Sequence, residues 1–367
     1  MSTLHDLGDA LVNLGVDKVL GEQVSFLHAT TTARVEVKDT ATLDARGDIT
    51  LHASTRQNID NSAAGEAYEK GEFATDAQGN PIKDATGNPV PKKHLLSLGA
   101  AYGQINATSE AIIRSGATVK AGGELSVKAD ADTAMKLAAE SFAVNNTTAA
   151  FTAAISNVNV NTRAVIEAGS TPITAGSVNV SAVNTSSIET SATARADSQG
   201  AVGLAGAISL QKIAAEARLD RDVTTHFTGG NSGNVTVQAA SVTTLNKTES
   251  LIAGPKSEPL PGQEEVEAIS SGSDGLMSMA QSLAGAGIGA ALEKISGGGS
   301  DSGGGGTTPA TPPKPSPFRL GCAISFIDGE HTAKASIGAN AKIVSAGDIV
   351  IDSQVIDAQI GNHANSS

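Results

Sequence analysis

The sequence predicts an all-β chain, a parallel β-helix (β-solenoid) of about five repeats of about 53 residues each. Three observations lead to this prediction: a recurring glycine-polar turn motif, landmarks that repeat at matched spacings, and a scarcity of aromatic residues. Aromatics make up 2% of the 367 residues, whereas there are 40 glycines. Small aliphatic side chains suit a thin core of stacked layers, because a thick core usually contains large rings as well.

The clearest marker is a glycine and a polar residue followed by apolar-x-apolar. It occurs at 47–51, 123–127, 176–180, 233–237 and 347–351. A glycine-polar pair favours a turn, and the alternation that follows buries one face of a strand. An apolar position precedes most of these turns, at Leu43, Val119, Ile173 and Ile343. Each copy therefore predicts a strand, a turn and a second strand.

A second set of landmarks lies upstream of the turns. An alanine begins each run that leads toward the turn, at Ala33, Ala111, Ala164, Ala217 and Ala333. Nine residues earlier lie Val24-Ser25, Tyr102-Gly103, Ile155-Ser156, Ile208-Ser209 and Ile324-Ser325. We expect the longest strand of each repeat to run from this pair toward the alanine, and a shorter pair of strands to flank the turn. Each repeat could form one wide coil or two smaller ones.

The alanine spacings are 78, 53, 53 and 116 residues, so the two long intervals exceed the period by 25 and 63. Each long interval predicts an insertion. The first insertion, at about 69–94, repeats a Gly-Asn-Pro turn motif and predicts an exposed loop or small hairpin. The second, 254–317, ends in Gly-rich and Pro-rich runs typical of a flexible segment and contains a possible helix at 274–295.

The remaining boundaries follow from the repeats. Residues 1–20 have leucines and valines at helical spacing and predict an amphipathic helix, or a cap over an exposed solenoid edge. The solenoid repeats then occupy 21–253, and the last repeat occupies 318–367.

Composition limits the classes of partner. The net charge of −13 argues against nucleic acid, because phosphate binding requires clustered Lys and Arg. No apolar run approaches the ~18 residues of a membrane span, so no stable membrane insertion is expected. Residues 1–20 lack the features of a signal peptide, which favours a segment of a longer protein. Cys322 is the single cysteine and predicts a small buried hydrophobe, with no disulfide framework or thiolate metal cluster.

Candidate catalytic residues are few. The histidines follow no metal-binding spacing and are expected to be exposed or on strand faces; they are His5, His28, His52, His94, His226, His331 and His363. Carboxylate pairs suitable for sugar chemistry are Asp130/Asp132, Asp220/Asp222 and Glu264/Glu265, and we expect these to lie in solvated turns. The sequence therefore predicts no catalytic, cofactor-binding or metal-binding residues, no cofactor and no enzyme.

Two stretches resemble a known class of repeats. They are AAISNVNVNTRAVIEAGSTPITAGSVNVSAVNTS at 153–186 and GAISLQKIAAEARLDRDVTT at 206–225. They are similar to repeats of filamentous-haemagglutinin-like and leukotoxin-type filamentous adhesins, and of related autotransporter passengers. The resemblance covers most of 24–250 and 318–360 but not the insertions. It implies a secreted or surface-displayed β-helical shaft, associated with the outer membrane through a longer precursor or a secretion partner.

The expected function is a structural and adhesive segment of a bacterial filamentous exoprotein that presents loops for adhesion. The expected partners are an unidentified surface receptor or matrix component, of host or bacterial origin, and flanking repeats that continue the solenoid. Two alternatives remain open. One is a carbohydrate-active β-helix enzyme, a polysaccharide lyase or hydrolase that uses a carboxylate pair. The other is a segment of a secreted cytolysin, which rests on the leukotoxin-type resemblance alone.

Overall fold

The protein folds as a β-solenoid of five rungs, each of which is one wide coil of three strand positions. The structure is a computed structural model, and it describes residues 20–66, 96–143, 149–196, 202–227, 230, 232–253 and 320–366, with parts of 78–89. Corresponding strands of successive rungs pair in parallel and form three sheets. The all-β class, the parallel stack and the number of repeats predicted from the sequence are confirmed.

The first strand of every rung belongs to one five-stranded sheet, called sheet A here. Its strands are 18 residues long and pair residue for residue along their whole length. They are β1 (Leu20–Val37), β4 (Leu96–Ile113), β7 (Ala149–Ile166), β10 (Val202–Leu219) and β13 (Leu320–Ile337).

The second strand of every rung is short and belongs to sheet B, which consists of β2 (Thr42–Ala45), β5 (Thr118–Ala121), β8 (Ile173–Ala175), β11 (Val223–Thr225) and β14 (Ile343–Val344). Long third strands form sheet C, which consists of β3 (Ile49–Glu66), β6 (Glu124–Ala143), β9 (Ser177–Ala196), β12 (Val235–Ala253), β15 (Ile349–Asp357) and β16 (Ile360–Ser366). The register between β12 and β9 is irregular at Thr243/Leu245, and the last rung is interrupted beside this point, between β15 and β16.

The predicted strand lengths were wrong in one respect. A short strand precedes the glycine-polar turn as expected, but in the first four rungs the strand that follows the turn is as long as the sheet A strand or longer, reaching 20 residues in β6 and β9. The apolar alternation is clear only at the start of these strands, because further along most inward positions are occupied by Ala, Ser, Thr or Asn, with only a few large apolar residues such as Met135 and Ile188.

The register of the turn landmarks is confirmed, whereas two upstream landmarks were wrong by two residues. Ala111, Ala164 and Ala217 pair in register, but their partners in the first and last rungs are Val35 and Ala335. A shift of two keeps every side chain on the same face of the strand, so the inward-outward pattern alone does not detect it. The first interval between repeats is consequently two residues shorter than the alanine spacing predicts, and the last is two residues longer.

The core lies between sheets A and C and changes in character along the strands. Next to sheet B, 13 of its 24 buried members are Ile, Val or Leu, and at the opposite end nine of the eleven buried members are alanines, among them Ala63 and Ala101. Small side chains allow the two sheets to approach each other closely at that end. None of the described aromatic residues is buried, which agrees with the thin core predicted from composition.

The contact between successive rungs explains why the turn has a glycine followed by a polar residue. The Asp48 carboxylate accepts the N–H of Glu124 in the next rung at 2.7 Å, and the Asn234 amide oxygen accepts that of Asp348 at 2.8 Å. A Cβ on Gly123 would lie 2.0 Å from the Asp48 oxygen, and one on Gly347 would lie 2.2 Å from the Asn234 oxygen. Glycine is therefore required because the polar side chain of the preceding rung occupies the space of a Cβ.

Three predictions concern segments at the margins of this core. The helix expected within 1–20 lies outside the described residues except for Leu20, which begins β1. The helix expected at 274–295 and the rest of 254–317 also lie outside them. In the first insertion, an antiparallel bridge joins Lys83 to Pro89, and the described residues there are exposed, in agreement with a small exposed hairpin.

A glycine substitution tests the close approach of the two long sheets. A Cβ on Gly99 of β4 would lie 1.9 Å from the Glu140 carbonyl oxygen of β6. We expect Gly99→Ala to lower the free energy of unfolding by about 1–3 kcal/mol, measured by urea denaturation followed by circular dichroism. Gly206→Ala is the matched control, because its Cβ would meet only one atom, at 4.0 Å. Equal stability of the two variants would contradict the close approach.

Candidate functional site

The first carboxylate pair lies on the outer face of sheet C, and each member has a histidine or arginine partner in the preceding rung. The His52 Nε2 lies 2.7 Å from Asp130 Oδ2, and the Arg56 Nε donates to Asp132 Oδ2 at 3.1 Å. All four side chains are largely exposed. Exposed ion pairs of this kind contribute little to stability, and the arrangement is one of cross-rung surface pairs on a flat sheet.

The second pair lies at the corner between sheets A and B. The Asp220 carboxylate lies 2.8 Å from the Arg218 Nε, and Asp222 Oδ1 accepts the backbone N–H of Lys342 at 2.7 Å. Asp222 thus fixes the turn of the next rung, as Asp48 does at the other corner. The third pair, Glu264/Glu265, lies outside the described residues.

One histidine differs from the expectation of exposed or strand-face positions. The His331 side chain points into the solenoid and is 6% exposed. Its Nδ1 lies 2.7 Å from Asp357 Oδ1, and its Nε2 lies 3.1 Å from Gln211 Oε1. Sequence reasoning missed this cluster because its members are 120 and 26 residues from His331 along the chain.

The His331 cluster continues deeper into the fourth rung. The Gln211 amide donates to Ser209 Oγ at 2.8 Å and to Asn246 Oδ1 at 2.7 Å. Each polar group therefore has a partner within the core, which removes the cost of burying it. The cluster joins sheets A and C in the last two rungs, and the Ser209 hydroxyl accepts a hydrogen bond within it.

Charged side chains form a ladder on the outer face of sheet A. One column contains, in successive rungs, Arg34, Glu110, Arg163, Glu216 and Lys334, so the charges alternate in sign. Arg163 lies 3.4 Å from Glu110 and 3.0 Å from Glu216. Opposite charges at neighbouring positions favour the observed register, because a slip of the strands would remove these pairs.

A second group of charges bridges the first three rungs just after the sheet A strands, at the corner between sheets A and B. The Arg114 guanidinium contacts Glu36 in the preceding rung at 2.5 Å and Glu167 in the following rung at 2.6 Å. These bonds raise the pKa of Arg114, and the bond from Arg114 lowers the pKa of Glu36. The backbone N–H of Gly116, with the Ser115 hydroxyl, lowers the pKa of Asp39.

The largest fully buried side chain is Arg221, at the corner that follows β10. Its Nη1 donates to the Ala117 carbonyl at 2.7 Å and its Nε to the Glu167 carbonyl at 3.0 Å, so it links three rungs. A Cβ on Gly169 would lie 2.7 Å from the guanidinium carbon. Burial lowers the pKa of Arg221. Its neighbours in sequence contain no signal that distinguishes it from a surface arginine.

The outer face of sheet A also bears an apolar stripe near the start of its strands. One column contains Phe26, Tyr102, Ile155, Ile208 and Phe326, and the outward column four residues nearer the start of the strands contains Leu98, Phe151, Leu204 and Cys322 in rungs two to five. These side chains point outward, because their neighbours Ser156 and Ser209 are fully buried and side chains alternate along a strand. Phe26 is 61% exposed.

The structure gives the orientation of one sequence landmark and corrects one prediction. The Ile155-Ser156 type of landmark buries its serine and turns its isoleucine outward, and the register shift had hidden the aromatic members Phe26 and Phe326. Cys322 was expected to be buried, but it lies half-buried on the outer face. Desolvation raises the pKa of its thiol. Within the described ranges, no three His, Cys, Asp or Glu side chains form a group that could hold a metal ion.

Both long insertions leave the solenoid at the end where the stripe lies. The first joins β3 to β4 and the second joins β12 to β13. Each therefore re-enters at the start of a sheet A strand, two residues before the stripe positions Leu98 and Cys322. Each insertion therefore lies between a sheet C strand and the sheet A strand of the next rung.

No protein-family model, curated protein or solved structure matches this chain. Among the residues that the structure describes, no helix has the length and apolar character needed to cross a membrane.

Acid should weaken the bonds of Glu36 and Asp39 across the rungs. Because folding lowers both pKa values, their stabilisation is complete at neutral pH and is lost as the pH falls below the usual carboxyl range near ~4. We expect the double variant Glu36→Gln, Asp39→Asn to lose less stability than the wild type between about pH 6 and about pH 3, measured by urea denaturation. Asp44→Asn on β2 is the control. Identical pH dependence in the wild type and the double variant would refute the assignment.

Proposed function

We propose that this chain is a structural and adhesive segment of a bacterial secreted or surface-displayed filamentous exoprotein, and that its inserted segments make the adhesive contact. The observation on which this depends is the placement of the insertions. Two segments of different sequence join different pairs of rungs, yet both connect strands at the same end of the rungs, the end at which the apolar stripe of sheet A lies.

The solenoid supplies a rigid support for such contacts. Sheet A strands pair over 18 residues in every rung, and the charged ladder and Arg221 bind successive rungs together. Loops that project from a rigid scaffold are a common location for binding residues, because their sequence can vary without disturbing the core.

The stripe is the part of the described surface best suited to contact a partner. It contains the exposed Phe26 and half-buried aromatic and aliphatic side chains on a face of the sheet that no described strand covers, with the Phe26 and Tyr102 ring centroids 6.2 Å apart. Contiguous apolar surface on a soluble chain is typical of an interaction site. The resemblance of 153–186 and 206–225 to filamentous adhesin repeats supports an extracellular or cell-surface location.

Deletion of the second insertion tests the adhesive role. Replacing 254–317 by a short Gly-Ser linker should reduce binding to cells or to extracellular matrix about tenfold or more, measured with labelled protein on immobilised ligand. Deletion of 69–94 tests the first insertion in the same way, and we expect it to reduce binding as well. Circular dichroism should show an unchanged β-solenoid in both deletions. Full binding by the chain without 254–317 would exclude that segment as the adhesive part.

A further inference from the structure

The last rung exposes apolar side chains that the same positions in other rungs bury. Ile351 and Ile360 point toward the core, yet they are 52% and 59% exposed. In the first rung, the residues in the same columns are Leu51 and Ile59, which are 4% and 6% exposed. The exposure is therefore specific to one end of the stack.

The reason lies in how the two long sheets interlock. Each sheet C strand packs against the sheet A strand of its own rung and against that of the next rung, as β3 does with β1 and β4, and β12 with β10 and β13. In the described part of the chain, β15 and β16 have β13 on one side and no sheet A strand of a following rung on the other. The uncovered face thus lacks a strand of the sheet A type.

The opposite end of the stack presents such a strand. β1 is the edge strand of sheet A, and within the described residues no sheet C strand of a preceding rung packs on it. Its inward side chains Ala33, Val35 and Val37 are only partly buried, whereas Ala111 and Ile113 in the same columns of β4 are fully buried. Each end therefore lacks the element that the other end has.

The turn glycines show the same complementarity. Within the stack, a polar side chain in one rung occupies the space next to the glycine of the following rung, as Asp48 does at Gly123. Gly47 in the first rung has no atom within 4 Å of where its Cβ would lie. Asp348 in the last rung lies in register with Asp48 and is exposed. The first-rung end therefore has the open space of this contact, next to Gly47. The last-rung end has the polar side chain that fills such a space, Asp348.

We propose that the last rung binds the first rung of a second copy of this chain, so that copies stack head to tail with the geometry of successive rungs. β1 of one copy then pairs in parallel with β13 of the other, and Val35 and Val37 cover Ile351 and Ile349. Asp348 accepts the backbone N–H of Asp48 beside Gly47 of the second copy. Such an interface is heterologous and does not close on itself, so it extends into a filament.

The end face is large enough for a stable contact. A strand of 18 residues is about 60 Å long at about 3.3 Å per residue, and facing sheets lie about 10 Å apart. The face therefore measures about 600 Å² on each copy, or about 1,200 Å² in total, which reaches the range of specific interfaces. The alternating ladder has a positive residue at both ends, so Lys334 meets Arg34 and the contact should strengthen as salt screens this repulsion.

Two variants block one end each and leave the fold intact. Ile351→Lys places a charge on the last-rung face, and Gly47→Leu fills the space next to Asp348 in the first-rung face. Neither should affect folding, because Ile351 is exposed and Gly47 has no neighbour within 4 Å. Val350→Lys is the matched control, since Val350 is 40% exposed but points outward. Circular dichroism and thermal unfolding confirm that each variant is folded.

Analytical ultracentrifugation over a wide range of protein concentration measures the association. We expect the wild type and Val350→Lys to form concentration-dependent oligomers, with the wild type associating more strongly in higher salt. Ile351→Lys and Gly47→Leu should each lower the association constant about tenfold or more and sediment as monomers. An equimolar mixture of these two variants should form dimers and nothing larger, because each contributes one intact end.

Three results would overturn the proposal. They are a wild type that stays monomeric at all concentrations, association that Ile351→Lys leaves unchanged, and a mixture of the two blocked variants without dimers. A folded, monomeric wild type would assign the last-rung face to a flanking repeat of a longer polypeptide. Loss of adhesion in the deletion of 254–317 is measured separately, so failure of one proposal is distinguishable from failure of the other.

Discussion

Parallel pairing between successive rungs is the interaction on which every other feature of this structure depends. No single rung buries its own apolar face, since the inward side chains of one coil are covered by the coils on either side of it. The turn glycines, the polar residues after them and the buried Arg221 all act between rungs and not within one. The terminal rungs consequently differ from the central ones in exposure, although their sequences follow the same pattern.

The interior is less uniform than the repeat suggests. Aliphatic side chains fill the core next to sheet B, and alanines fill the far end, where a Cβ on Gly99 would collide with the backbone of sheet C. Polar clusters such as His331 with Asp357 and Gln211 lie between the aliphatic parts. Each rung can accept these differences because the backbone hydrogen bonds between strands do not depend on which side chain points inward.

Surface properties are divided between regions of the solenoid. Charged residues concentrate on sheet A near sheet B, where they form ladders across rungs, and the apolar stripe lies at the opposite end of the same sheet, where its strands begin. The described carboxylates among the catalytic candidates lie on other parts of the surface, on the outer face of sheet C and at the corner between sheets A and B. Asp130 contacts His52, Asp132 accepts a hydrogen bond from Arg56, and Asp222 accepts a backbone N–H. These contacts attach successive rungs to one another.

The sequence alone determined the class of fold, the number of repeats, the turn positions and the sites of the insertions. These follow from local chemistry, because a glycine-polar turn and an alternating strand leave a signature within about ten residues. Only the tertiary structure decided the register of the first and last rungs, since a two-residue shift from Ala33 to Val35 preserves the alternation. It also decided that Ile155 points outward, that His331 is buried, and that the last rung is uncovered. Each of these depends on which residue of a distant rung lies opposite, and that is a property of the stack and not of any one segment.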